Sequence, residues 1–141
     1  MFWSLVIAIG IYITYQFVTA TNKDKLELEH QVVEEKFQFV VGVLNEAVFN
    51  GKGGVSKLSN RSFNLYQDGE NQIIHFHYST GTLRITWKYK YFQKEVLHTR
   101  DFDNARNLSI FEQERLGNIM IVEMQKVIGQ HKINVLMRRN E

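Results

Sequence analysis

Residues 72–91 read QIIHFHYSTGTLRITWKYKY, and the way they pair decides the fold. Apolar and polar side chains alternate on both sides of Thr80-Gly81, the two-residue period of a strand with one buried face. A Thr-Gly pair between two such runs suits a tight hairpin, because glycine accepts the left-handed backbone that the turn demands. A turn centred there sets Tyr78 opposite Leu83, Phe76 opposite Ile85 and Ile74 opposite Trp87, so that apolar residues meet apolar partners. The same register sends Ile73, His75, His77, Arg84, Thr86 and Lys88 to the other face, with Lys90 continuing the series. A slip of one residue would exchange the two faces, so the pattern fixes the register.

On the N-terminal side, Asp68-Gly69 sits between alternating runs as a second two-residue turn. It pairs Phe63 with Ile74, which would place Phe63, Ile74 and Trp87 in one row across three strands. On the C-terminal side, EVLHTRDF at 95–102 is expected to add another antiparallel strand. Its facing is not fixed, because the FQK before it carries no clear turn signal.

Two helices flank the strands. From Lys25 to Asn50 the apolar positions Leu26, Val33, Phe37, Val40, Leu44 and Ala47 recur at helical spacing, and Asn50-Gly51 supplies a left-handed stop. Ser109 followed by Glu112 makes a capping box for a second helix. Its buried stripe is Leu116, Ile119, Met120, Met124, Val127 and Ile128, with Gly129 as its end and the tail KINVLMRRNE as a short strand or frayed end. The expectation is an α+β domain over 22–141, with helices near 25–50 and 109–129 and strands within 62–102. The strands would form a three- or four-stranded antiparallel meander whose apolar face the helices cover.

Residues 2–20, FWSLVIAIGIYITYQFVTA, hold no charged side chain. As a helix they measure about 28 Å, just enough to cross a hydrocarbon core. The expectation for 1–21 is a transmembrane helix retained as a signal anchor and continuous with the helix that follows. Val18-Thr19-Ala20 would also satisfy a signal-peptide cleavage pattern, but the opening MFWS lacks the basic residues of such a leader. Lys23, Lys25 and Lys36 all follow the apolar run, which puts the C-terminal domain in the cytoplasm.

Composition narrows the chemistry. The 141 residues carry a formal charge of +2, too little to imply nucleic acid by bulk electrostatics. The absence of Cys removes disulfides, cysteine-held metals and thiol nucleophiles, and no cofactor is indicated.

The stretch GKGGVSK at 51–57 resembles the variant phosphate loop of partitioning-type ATPases, with Lys52, Gly53, Gly54, Val55 and Lys57 in register. Ser56 and Leu58 depart from that pattern, and the loop follows a helix and precedes a hairpin, the reverse of the order a phosphate cradle needs. No nucleotide is expected at Gly51–Lys57, which reads instead as a flexible, weakly basic connector. His75 and His77 share a strand face that His98 could approach, a three-imidazole zinc arrangement, but Arg84 and Lys88 on that face would repel a cation. Solvated histidines are the expectation.

Arg84, Lys88 and Lys90, joined by Arg100, form a basic sheet face as the candidate partner-binding surface. No spacing of nucleophile, base or paired carboxylates suggests catalysis. The primary functional expectation is a non-enzymatic single-pass membrane protein, an accessory or assembly subunit of a larger complex, in contact with the bilayer and other subunits. The alternative is a membrane-tethered binder of polyanions, acidic lipid or nucleic acid, through the basic face. A third alternative rests on resemblance: a long apolar N-terminal helix leading onto an antiparallel sheet resembles type IV pilins and pseudopilins. The basic leader of that family has no counterpart here, and Leu5 and Ile7 stand where its acid would be.

Overall fold

The computed structural model describes residues 2–30 and 32–139, with the side chains of Phe2, Leu5, residues 20–30 and Arg139 outside the description. Strands β3 (Gln72–Ser79) and β4 (Thr82–Tyr91) form the expected hairpin, with Ile74 opposite Trp87, Phe76 opposite Ile85 and Tyr78 opposite Leu83. Thr80 and Gly81 both take positive φ, 52° and 79°, and such turns match the right-handed twist of paired strands.

β2 (Ser62–Tyr66) pairs with β3 two residues away from the expected register, placing Phe63 opposite Phe76 and Leu65 opposite Ile74. The Asp68-Gly69 turn does close, with Glu70 N–H donating to Gln67 O at 3.1 Å. Asn71, however, is bound on its other side: Lys90 N–H donates to Asn71 O at 3.0 Å and the Asn71 amide donates to Lys90 O at 2.8 Å. Those bonds lengthen the β3 arm relative to β2. Because the shift is even, Phe63 and Leu65 keep the apolar face, and the Phe63 and Phe76 rings stack at 4.6 Å.

Two further strands complete a five-stranded antiparallel meander in the order β1-β2-β3-β4-β5, against three or four expected. β5 is Lys94–Phe102. β1 (Gly54–Lys57) comes from the glycine stretch itself and pairs with β2 from Gly54–Tyr66 to Lys57–Phe63. That stretch is a packed junction, which corrects the flexible connector: the Asn45 amide exchanges hydrogen bonds of 2.8 and 3.2 Å with the Gly53 backbone. A Cβ on Gly53 would lie 2.7 Å from Asn45 Oδ1 and 2.8 Å from the Phe49 ring. Only glycine fits there.

The helices differ from the expectation at three points. First, the amphipathic segment is not continuous: α1 (Phe2–His30) is separated from α2 (Val33–Lys36) by an extended Val32, and Phe37 breaks α2 from α3 (Gln38–Phe49). The bend at Phe37 lets Val33, Phe37, Val40 and Leu44 all be fully buried, with the Phe37 ring edge-on to Tyr78 at 5.2 Å. Secondly, α4 (Ile110–Arg139) starts at the expected cap, Ser109 Oγ accepting from Glu112 N–H at 3.1 Å, but runs through Gly129. A mid-helix glycine costs only about 1 kcal/mol. Docking beyond it outweighs that: Val135 is buried, and the His131 ring bonds Lys94 O at 2.8 Å.

The third point concerns the N-terminus. Among the described residues no helix is long and apolar enough to cross a membrane, so the transmembrane helix expected over 1–21 is not met there. Tyr12, Thr14, Tyr15, Gln16 and Thr19 dilute the second half of the run, and α1 continues to His30 through the charged Lys23, Asp24 and Lys25.

The architecture is thus α+β, with α4 and α3 packed on one face of the sheet. The core lies between these layers, from Leu44, Met120 and Met124 on the helices to Leu65, Ile74, Phe76 and Ile85 on the strands.

Candidate interaction surfaces

The register of β5 settles what the sheet can offer a partner. Phe102 is buried opposite Leu83, and a period of two then forces Arg100, His98 and Val96 onto the same, helix-covered face. Arg100 is therefore not part of the basic face with Arg84, Lys88 and Lys90. Its Nη1 donates to Glu123 Oε2 of α4 at 2.9 Å, and His98 Nε2 lies 3.1 Å from Glu123 Oε1. His98 is thereby separated by the thickness of the sheet from His75 and His77, so the three imidazoles do not converge. Among the described residues no group of three or more His, Cys, Asp or Glu side chains could hold a metal ion.

Arg84, Lys88 and Lys90 do share the open face, but β5 brings carboxylates against them. Arg84 makes a two-pronged bond to Asp101, 2.7 and 3.1 Å, which holds the Asp101 carboxyl below its ordinary range. Glu95 stands opposite Lys90, and Lys88 faces Leu97. The row is thus neutralised in part, at Arg84 by a bonded carboxylate and at Lys90 by one in register, while Lys88 has no carboxylate opposite it. On the same face His75 Nδ1 bonds Asn64 Oδ1 at 2.8 Å. Burial pushes the His75 pKa down, and His77 and Lys88 add to the shift.

At Gly51–Lys57 the backbone leaves α3 and enters an antiparallel edge strand, with Lys52 and Lys57 exposed. No helix N-terminus follows the loop to face a phosphate, as a phosphate cradle requires.

Three features escaped the sequence reading. The buried Gln113 of α4 caps α3 from outside: its Oε1 accepts from Phe39 N–H at 3.2 Å and Val40 N–H at 3.4 Å, and its Nε2 donates to Lys36 O at 2.9 Å. The available signal was a polar residue standing in the register of the stripe Leu116, Met120, Met124. At the same end of the domain Ile110 and Phe111 are exposed, Phe111 at 77%, apolar residues off that stripe. The opposite end exposes Phe92, Ile133, Leu136 and Met137. The tail KINVLMRRNE had suggested no apolar surface because its helical phase was not recognised.

α1 exposes apolar side chains along most of the run from Trp3 to Val18. Each described large apolar side chain from Trp3 to Val18 is between 48% and 78% exposed. Trp3, Val6, Ile7, Ile9, Ile11, Ile13 and Phe17 cover a little over half of the helix circumference, the other side carries Ser4, Ala8, Tyr12, Tyr15, Gln16 and Thr19, and no charged side chain stands on either side within 2–20.

Compared with protein-family models, with curated proteins and with solved structures, the chain matches none.

Proposed function

We propose that the chain is a non-enzymatic membrane protein, attached through α1, that acts by contacts with other proteins as a small accessory or assembly subunit of a larger membrane complex. The observation that carries this reading is the broad exposed apolar side of α1, from Trp3 to Val18, on a run of 2–20 that holds no charged side chain. So much apolar surface is unstable in water, and at about 25 cal/mol per Å2 its burial is a strong drive toward lipid or toward other helices. The polar groups within the run support the lipid alternative. Thr14 Oγ1 donates to Gly10 O at 2.9 Å and Thr19 Oγ1 to Tyr15 O at 2.8 Å, so both hydroxyls are satisfied inside the helix, as an apolar solvent requires. The uncharged run of 2–20 has the length of a hydrocarbon core, about 28 Å against about 30 Å.

The domain behind it supports a contact function. Its open sheet face is partly charge-paired, its two ends expose isolated apolar side chains, and α2 and α3 are pinned to α4 by Gln113. Such a domain holds its shape next to the bilayer and presents fixed surfaces. With Lys23, Lys25 and Lys36 after the apolar run, the domain is assigned to the cytoplasmic side.

The test is the size of the particle that the full chain forms when native membranes are dissolved in mild detergent. The reading expects a stoichiometric complex larger than a monomer-loaded micelle. A lone monomer would overturn the subunit assignment. Digestion of the domain by protease added outside sealed cells would overturn the orientation.

A further inference from the structure

Resting on the reading of the chain as a contact subunit, we infer that the end of the domain farthest from the α1 junction is a docking site for an acidic, apolar-anchored segment of a partner protein. The site is the β4–β5 turn with the last turns of α4.

The turn is built against local preference. Phe92 and Gln93 both have positive φ, 50° and 63°, the conformation of a tight hairpin turn that Asn and Gly adopt readily and a bulky aromatic does not. Phe92 gains little core burial in exchange: the residue is 54% exposed, its ring edge-on against Tyr91 at 4.5 Å. A strained backbone that displays an aromatic ring to solvent serves the fold poorly and a partner well. Phe92, Lys94, Val135 and Arg138 together line an open cleft of about 470 Å3.

The charge around the cleft has one sign. The sequence has no Asp or Glu between Glu70 and Glu95, nor between Glu123 and Glu141. The same two stretches supply Lys94, Lys132 and Arg138. Lys132 is held out by the aromatic faces of Tyr89 and Tyr91, 5.9 and 5.6 Å from their centroids. Unlike Arg84 and Lys90 on the open face, Lys94 stands opposite a tyrosine, Tyr91, in the strand register, and no Asp or Glu neighbours Lys132 or Arg138 among the described residues of α4, so charge complementarity selects an acidic ligand. An apolar side chain of that ligand enters the cleft beside Phe92 while its carboxylates meet Lys94 and Arg138. Leu136, exposed and one turn on from Lys132, extends the contact along α4.

Anionic lipid shares the charge, but position favours protein. The α1 junction is tied to the other end of the sheet: Lys36 Nζ donates to Arg106 O, and the adjacent Ala105 N–H donates to Gly81 O at 2.8 Å. β4 runs its 10 residues from that end to Phe92, about 33 Å.

The experiment uses the full chain in detergent micelles and a fluorescein-labelled synthetic peptide carrying Leu and Phe anchors spaced among Glu residues. Anisotropy is expected to show saturable binding that weakens with salt and falls about tenfold in Lys94→Glu/Arg138→Glu. The decisive variant is Phe92→Asn, which suits the turn: it is expected to melt at the same or higher temperature and yet lose binding. No saturable binding would overturn the proposal, as would Phe92→Asn binding like the wild type. Phosphatidylglycerol vesicles held through these residues more tightly than the peptide would reassign the site to lipid. If the peptide fails while the chain still attaches to membranes through α1, only this surface is lost.

Discussion

Two helices of nearly equal length have opposite fates in this molecule. α1 has 29 residues and α4 has 30. α4 buries Met120, Met124 and Val135 along one stripe against the sheet and turns charged residues outward. α1 is the more apolar over its first half and buries none of its described large apolar side chains. The contrast teaches that apolar content does not decide whether a helix joins the core. The arrangement does: the α4 stripe is complementary to one sheet face, whereas the apolar side of α1 spans more than half of its circumference and meets no sheet.

Matched substitutions sharpen that contrast. Met124→Ala is expected to cost the domain about 2–5 kcal/mol, since Met124 is fully buried. Ile11→Ala should leave the same unfolding transition in place, because Ile11 is 65% exposed. Chemical denaturation followed by tryptophan fluorescence at Trp87 measures both, and equal losses would erase the distinction between the helices. Next in size is Gln113→Leu, which strips the cap from α3 and leaves Phe39 N–H, Val40 N–H and Lys36 O without their partner. A loss of about 1–3 kcal/mol is expected.

The two glycines of α4 divide by their surroundings. A Cβ on Gly117 would fall 2.7 Å from Val43 Cγ1 and 2.9 Å from Val43 Cβ. Overpacking of about 1–3 kcal/mol there exceeds the helix-propensity gain of about 1 kcal/mol, so Gly117→Ala should destabilise, and Val43→Ala should relieve the part due to Cγ1 while its Cβ stays in place. Gly129 has nothing within 4 Å of such a Cβ, and Gly129→Ala should stabilise by about 0.5–1 kcal/mol.

The smallest effect belongs to His75. Its pKa is lowered in the folded state by burial, then by His77 and Lys88, so the unfolded chain takes up the proton first as pH falls. The stability linked to His75 is therefore complete above the ordinary value near 6.5 and declines as pH drops below it toward the folded-state value. His75→Gln should make the decline shallower. An unchanged slope of melting temperature against pH would remove His75 from the account.

The legibility of the sequence follows the range of the forces involved. The β3–β4 register was readable because Thr80-Gly81 and strict alternation are local signals, and Ser109-Glu112 gave the start of α4 for the same reason. The β2 register was missed by two residues because Asn71 answers to Lys90 rather than to its own turn. The helix break at Phe37 and its repair by Gln113 join residues more than 70 positions apart, beyond the reach of periodicity. Arg100 was placed on the wrong face because the anchor of β5 is Phe102, at the far end of the strand from its uninformative turn.

The central claim is that α1 holds the chain to a bilayer. Flotation of the full chain with phosphatidylcholine–phosphatidylglycerol vesicles, followed by an alkaline carbonate wash, measures it most directly. The wild type is expected to float and to survive the wash, while Ile7→Asp/Ile11→Asp stays in the dense fractions with an unchanged melting temperature. A wild-type chain that remains in the dense fractions, or a double variant that floats as well as the wild type, would contradict the account.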